Sequence, residues 1–202
     1  MKKSFLTVSK KPQRGISLII VLIMTVVIGL TAAAAMRGAT SSQRVTNNVR
    51  MENMAQQYAE AALRYCEEQV QLSDTDPTKQ NFLKGPQLPV RNMTVTGTIG
   101  NWQNTSTWLG TAGVGTATTR TPLPQARYDT SGLSSTRPAK APECVAEIQT
   151  LGSPSFTLTV VTSRGFSSDY KADATTGQTT NGSVVWLQSV LNLCAGVTPT
   201  CP

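Results

Sequence analysis

The feature that most constrains this chain is an apolar run near its start, ISLIIVLIMTVVIGLTAAAAM, from Ile16 to Met36: 21 residues without a charge. A helix rises about 1.5 Å per residue, so the run spans about 30 Å, the hydrocarbon thickness of a bilayer. It reads as a membrane helix. Lys2, Lys3, Lys10, Lys11 and Arg14 precede it and a lone Arg37 follows. The positive-inside rule then places the N-terminus in the cytoplasm and the rest of the chain outside.

The same leader explains the charge. The chain carries +7, but without those five residues 13 basic and 11 acidic ones remain, a net charge of +2. A basic phosphate-binding face is not needed to account for that balance, and nucleic acid is not an expected partner. The sequence contains no histidine. It therefore lacks the commonest general base and the commonest metal ligand, which argues against hydrolytic triads and zinc sites. No enzyme activity, cofactor, metal or small-molecule substrate is expected. With 39% hydrophobic residues, the 202-residue length fits one ordinary domain plus an extra element.

Beyond Arg37 the chain turns polar, but Val45, Val49, Ala55, Tyr58, Ala59, Ala62, Tyr65, Cys66 and Val70 keep helical spacing. They form one stripe that needs a cover. No proline lies between Pro12 and Pro77, so one helix can run from Ile16 to Leu72. It would be about 85 Å long. Ser73-Asp74-Thr75-Asp76-Pro77 stops it. Residues 73–142 are rich in Thr, Gly, Ser, Asn and Pro and read as a loop-rich connection, with short strands expected at Met93–Ile99 and near Trp102–Leu109.

From Cys144 the pattern changes to strands: Cys144–Ile148, Phe156–Thr162 and Ser183–Leu191. They suggest an antiparallel meander whose apolar face, with Phe156, Leu158 and Val160, takes the helix stripe, leaving Thr157 and Thr159 wet. Cys66, Cys144, Cys194 and Cys201 all lie outside the membrane run, where oxidising conditions allow pairing. Three connectivities are possible; the favoured one joins Cys66 to Cys144, tying helix to strand, and Cys194 to Cys201, closing a C-terminal loop.

Three readings of the apolar run compete. A secretory signal peptide would use Ala32–Ala35 as its cleavage site. A plain signal anchor would stay intact. The third rests on Arg14-Gly15-Ile16-Ser17-Leu18, where a glycine closes the charged leader immediately before the run. The stretch KKPQRGISLIIVLIMTVVIGL resembles the leader of type IV prepilins. More particularly, QRGISLIIVLIMTVVIGLTAAAAMRGATSSQRVTNNVRMENMAQQYAEAALRY is similar to the N-terminal region of PilX-type minor pilins. The resemblance covers about the first 70 residues; that of the C-terminal strands is looser.

The resemblance implies cleavage by a prepilin peptidase between Gly15 and Ile16 and methylation of the new amine. It implies an α+β, pilin-like fold: a long N-terminal helix, transmembrane and then amphipathic, packed on a small C-terminal antiparallel sheet after a long loop-rich connection. The divisions are a leader at 1–15, the helix at 16–72 with its transmembrane or fibre-core part at 16–36, the connection at 73–142, and the sheet with a C-terminal disulfide loop at 143–202. The implied function is pilus assembly, and through it twitching motility, adhesion or DNA uptake. Implied partners are other minor and major pilins, the tip adhesin and the inner-membrane assembly platform. The implied location is the bacterial inner membrane, with the C-terminal domain in the periplasm, and then the cell-surface pilus.

One departure is informative. Major pilins carry Glu at the fifth mature position, and here it is Ile20. A carboxylate in the bilayer needs a positive partner, which in pilins is thought to be the N-terminal amine of a neighbouring subunit. A subunit that enters first has no such neighbour. Ile20 therefore suggests a tip or initiating subunit. A type II secretion tip-like pseudopilin shares these features, and an exported, membrane-anchored binding module is the alternative of another class.

Weaker constellations remain. Asp169 to Asn181 supplies oxygen ligands that can chelate calcium, but without an EF-hand's acidic repeat it reads more plainly as a solvated hairpin loop. Trp102, Trp108, Tyr128 and Trp186 make a binding platform if exposed and core if not. Arg120, Arg127, Arg137 and Lys140 form a modest basic run.

Overall fold

The computed structural model describes residues 16–109, 120–129, 137–152 and 156–192. The chain divides into two compact units, Met1–Asn47 and Asn48–Pro202, with the boundary inside one continuous helix, α1, Ile16–Gln71. In the first unit α1 exposes its large apolar side chains from Leu18 to Leu30, each half or more accessible. Thr25 and Thr31 return their hydroxyls to the carbonyls of Leu22 and Ile28, so these two hydroxyls are satisfied along the helix itself.

In the second unit α1 becomes one-sided. Ala55, Ala59, Ala62, Cys66 and Val70 are buried, the spacing of three and four that makes a single face. Val45 and Val49 continue that spacing but stay exposed, so the buried stripe is shorter than the sequence suggests. The helix ends where the Asp-rich stop predicts. The Lys79 ammonium, buried, donates to the carbonyls of Val70 at 3.2 Å and Leu72 at 2.7 Å, satisfying orphan acceptors of the last turn, and Asp74 balances it at 2.8 Å.

The stripe packs on a five-stranded sheet. Its strands are β1 (Val90–Asn92), β2 (Arg120–Pro122), β3 (Glu143–Leu151), β4 (Phe156–Phe166) and, after a small hairpin of β5 (Lys171–Ala172) and β6 (Thr179–Asn181), β7 (Val184–Leu191). The order is β1-β3-β4-β7, with β2 beside the start of β3. The β3-β4-β7 meander is antiparallel, as expected, with Cys144 opposite Ser163 and Ser163 opposite Leu187. The sheet as a whole is mixed, because β1 pairs parallel with β3 at Val90 and Ile148. Three residues of β1, without alternation, carry no period from which to read a strand.

Three expectations need correction. Met93–Ile99 contains no strand, and the Trp102–Leu109 stretch holds a 3-10 turn, Asn101–Gln103, and a helical turn, α2, Thr105–Trp108. Asn104 caps α2 by accepting from the Ser106 N–H, so local side-chain bonding outcompetes a strand. The connecting region is thus more structured than a plain loop; it also supplies β2 and a second helical turn, α3, Gln125–Tyr128. Finally, the face of β4 that meets the helix is the other one. It carries Val161, Ser163 and Gly165, while Phe156 is exposed and β4 is buried on both sides from Thr159 onward.

The reason is closeness. Ser163 Oγ donates to the Ala59 carbonyl at 2.8 Å. A Cβ at Gly165 would lie 2.2 Å from both the Ala55 oxygen and the Ala59 nitrogen. The helix backbone rests directly on the strand, and only small residues on both partners permit it. The core continues towards the helix end with Tyr65, Cys66, Val70, Leu83, Leu88, Leu123, Cys144, Ala146 and Val161.

Candidate functional site

In the first unit the candidate site is the apolar surface of α1. Ile16 is the first residue of the helix, and Ile20 is half exposed among other aliphatic side chains. Gly15 and the leader lie outside the described residues. The helix is long and apolar enough to cross a membrane by length and composition, with a mean hydropathy of 2.7 over its best window and none of that window buried.

In the second unit Cys66 of α1 and Cys144 of β3 are joined by a disulfide, with their Cα atoms 6.5 Å apart across a sequence separation of 78. Cys194 and Cys201 lie outside the described residues. The bond locks the buried end of the stripe to the strand at the centre of the sheet.

The sheet's other face carries what sequence reasoning missed. Glu143, Glu147 and Arg164 are buried at strand positions, and a charged side chain in the interior must be paired. Glu143 is fully buried and accepts from Arg120 Nη1 at 3.1 and 3.2 Å, from Lys140 Nζ at 3.1 Å and from Arg164. Both guanidinium groups also donate to the Trp108 carbonyl, at 2.7 and 2.8 Å, and Arg120 Nη2 reaches the Leu109 carbonyl at 2.6 Å. Burial pushes the Arg120 guanidinium and the Lys140 ammonium below their ordinary values, and Glu143 opposes the shift in both. The cluster anchors the connecting region to the sheet.

Above it the tryptophans meet. The Trp108 and Trp186 rings are edge to face with centroids 4.7 Å apart, and the Trp108 indole N–H donates to the Trp102 carbonyl at 2.7 Å. Arg164 stacks over the Trp108 ring at 4.6 Å and the Trp186 ring at 5.3 Å. Trp102, Trp108 and Trp186 line one groove of about 470 Å³. Tyr128 does not join them: it lies on α3, edge to face with Tyr58 of α1 at 6.2 Å.

The basic run dissolves into pairs. Arg120 and Lys140 serve Glu143, Arg137 bonds Asp129, and Arg127 lies near Glu68 and over the Tyr65 ring. In the Asp169–Asn181 loop, Asp169 accepts from the Ser167 hydroxyl. Asp173 accepts from the Thr175 and Thr176 N–H groups and the Thr176 hydroxyl, and these bonds hold its carboxyl below the usual range. One oxygen of each carboxylate is thus used in a turn, and among the described residues no group of three or more His, Cys, Asp or Glu side chains gathers for a metal.

Comparison with known families gives one finding: residues 14–64 match the family model for the PilX N-terminal domain. The N-terminal region is of the PilX type. The match begins at Arg14, takes in the Gly15-Ile16 junction and the whole apolar run, and ends within the buried stripe of α1. A PilX-type N-terminal match on a long helix, followed by a small sheet, fits a pilin-like fold. Neither a curated protein nor a solved structure matches the chain.

Proposed function

We propose that the chain is a minor pilin that enters a type IV pilus at or near its tip and acts in assembly, with no catalytic role. The observation that carries the reading is the uncovered aliphatic surface of α1 from Leu18 to Leu30, beginning immediately after a prepilin-like junction. Such a surface requires lipid before assembly and the apolar helices of other subunits afterwards. Prepilin peptidase would cut between Gly15 and Ile16, leaving Ile16 as a methylated N-terminus. Partners on this reading are the major and minor pilins, the tip adhesin and the inner-membrane platform, with the second unit in the periplasm and then at the cell surface.

Ile20 supports a place at the tip of the fibre. An aliphatic side chain at the fifth mature residue does not need a neighbour's amine, which suits the subunit that has no neighbour ahead of it. The same feature fits a tip-like pseudopilin of type II secretion, and loss of piliation rather than loss of secretion on deletion distinguishes the two.

The test is the N-terminal sequence and the intact, non-reduced mass of the protein from its native membranes. A start at methylated Ile16 is expected, with four protons missing from the mass if both disulfides form. A start near Met36, or an intact leader, would overturn the pilin reading and leave an exported or anchored binding module.

A further inference from the structure

All three tryptophans of the chain line a single open groove on the face of the sheet away from α1. They come from three separate elements: the 3-10 turn at Trp102, α2 at Trp108 and β7 at Trp186. Trp108 is nearly buried and acts as the wall, while Trp186 remains 42% exposed. An aromatic this large left in water on a strand is unusual unless something covers it.

The rim is unlike the floor. Gln103 and Gln178 are exposed; the Gln103 carboxamide oxygen accepts from the Gly100 N–H, and the Gln178 carboxamide bonds to no described residue. Thr176 stands beside Gln178, its hydroxyl directed to the Asp173 carboxylate at 3.0 Å. Apolar rings with a few uncharged donors and acceptors around them are the make-up of a small-ligand site, and about 470 Å³ is within the usual size range.

Charge narrows the ligand. Arg164 is the one charged residue in the lining, and its Nε and Nη2 are committed to Glu143 and the Trp108 carbonyl. Around the groove the cations Arg120, Arg164 and Lys140 all pair with Glu143, and two further carboxylates stand near it: Glu147, which accepts from the Asn101 N–H beside Trp102, and Asp173, which accepts from Thr176 at the rim. Three charges of each sign leave no net attraction for a polyanion. The geometry points to a neutral oligosaccharide as the ligand: its C–H faces would stack on Trp102 and Trp186, and its hydroxyls would exchange hydrogen bonds with Gln103, Gln178 and Thr176. A sugar ring has just this division between an apolar face and a hydroxyl edge. On the pilin reading this would be an adhesive site, but the binding itself does not depend on that reading.

Because the groove holds every tryptophan of the chain, intrinsic fluorescence of the full-length protein reports on it without a label. The protein would be held in a detergent without a sugar head group and titrated with maltotriose, cellotriose, mannotriose and N-acetylchitotriose, with oligothymidylate as the stacking polyanion for comparison. A saturable emission shift with at least one trisaccharide is expected, at roughly millimolar affinity or better. Trp186→Ala and Gln178→Ala should each weaken binding about tenfold. Gln178→Ala should do so with an unchanged thermal midpoint, since its exposed carboxamide bonds to no described residue, whereas Trp186→Ala also loses the contact with Trp108 and should lower the midpoint somewhat. No saturable shift with any trisaccharide, a response to oligothymidylate alone, or undiminished binding by both variants would overturn the proposal. None of these outcomes alters the N-terminal start that tests the pilin reading.

Discussion

Gly165 and Ser163 set how close the helix lies to the sheet. A methyl group at Gly165 meets helix backbone at 2.2 Å, and backbone cannot turn aside as a side chain can. Gly165→Ala should therefore destabilise the second unit by about 3 kcal/mol or more. Ser163→Ala, which loses one hydrogen bond to Ala59 and introduces no clash, should cost only about 1 kcal/mol. Denaturant unfolding of the two variants measures both, and equal losses would contradict the packing described. Glu143 poses a different problem, since removing it leaves cations buried without their counter-charge. Glu143→Gln should cost about 3 to 5 kcal/mol by the same measurement. Acid acts at the helix end as well: the bonds from Lys79 and the Gly85 N–H hold the Asp74 carboxyl below its ordinary value. A carboxyl whose folded value is depressed adds stability above its unfolded value and loses that contribution as pH falls through the folded one. Lys79→Met should thus lower stability at neutral pH and flatten its decline below about pH 4, which thermal melts between pH 3 and 7 would reveal.

At the scale of elements, the Cys66–Cys144 bond closes a loop across a sequence separation of 78 that contains the whole connecting region. The chain-entropy argument puts its worth at about 4 kcal/mol. Reduction should lower the thermal midpoint and expose the connecting region to protease before the β3-β4-β7 meander; limited proteolysis with and without a thiol reductant tests the order. This pair was legible in the sequence because both cysteines stand at positions where a helix stripe and a strand must meet. The helix itself was legible for the same kind of reason, an unbroken run free of proline with apolar spacing that changes from all-round to one-sided. The connecting region was not. Its elements are three or four residues long, held by caps such as Asn104 and by the buried Glu143 cluster, and a partner 23 or 21 residues away leaves no local period. The facing of β4 was misread because hydrophobicity marked Phe156, Leu158 and Val160, whereas the helix selected the smaller residues, Ser163 and Gly165. The tryptophans were visible one by one, but their meeting depends on how α2 folds onto the sheet, which spacing does not encode.

At the scale of the whole molecule, the proposed place at the tip rests on a single side chain in an apolar helix. On the pilin reading, a carboxylate near the start of each subunit's helix would be neutralised by the amine of the subunit ahead, and the first subunit alone would have no such amine to pair with. Ile20 fits that first place, because an isoleucine costs nothing in lipid while an unpaired glutamate there costs about 3 kcal/mol or more. Ile20→Glu should therefore impair initiation and favour insertion behind another pilin. In cells expressing the variant, fibre number should fall, while the ratio of this chain to major pilin in sheared fibres should rise as the subunit moves from one position per fibre into the shaft. Unchanged fibre number at an unchanged ratio would mean the residue has no bearing on position, and the tip assignment would go with it. The outer unit is indifferent to this substitution, since Ile20 belongs to the first compact unit and the disulfide, the Glu143 cluster and the tryptophan groove all belong to the second. Trisaccharide binding by the purified variant should match the parent protein, so a change in piliation would report on the helix alone.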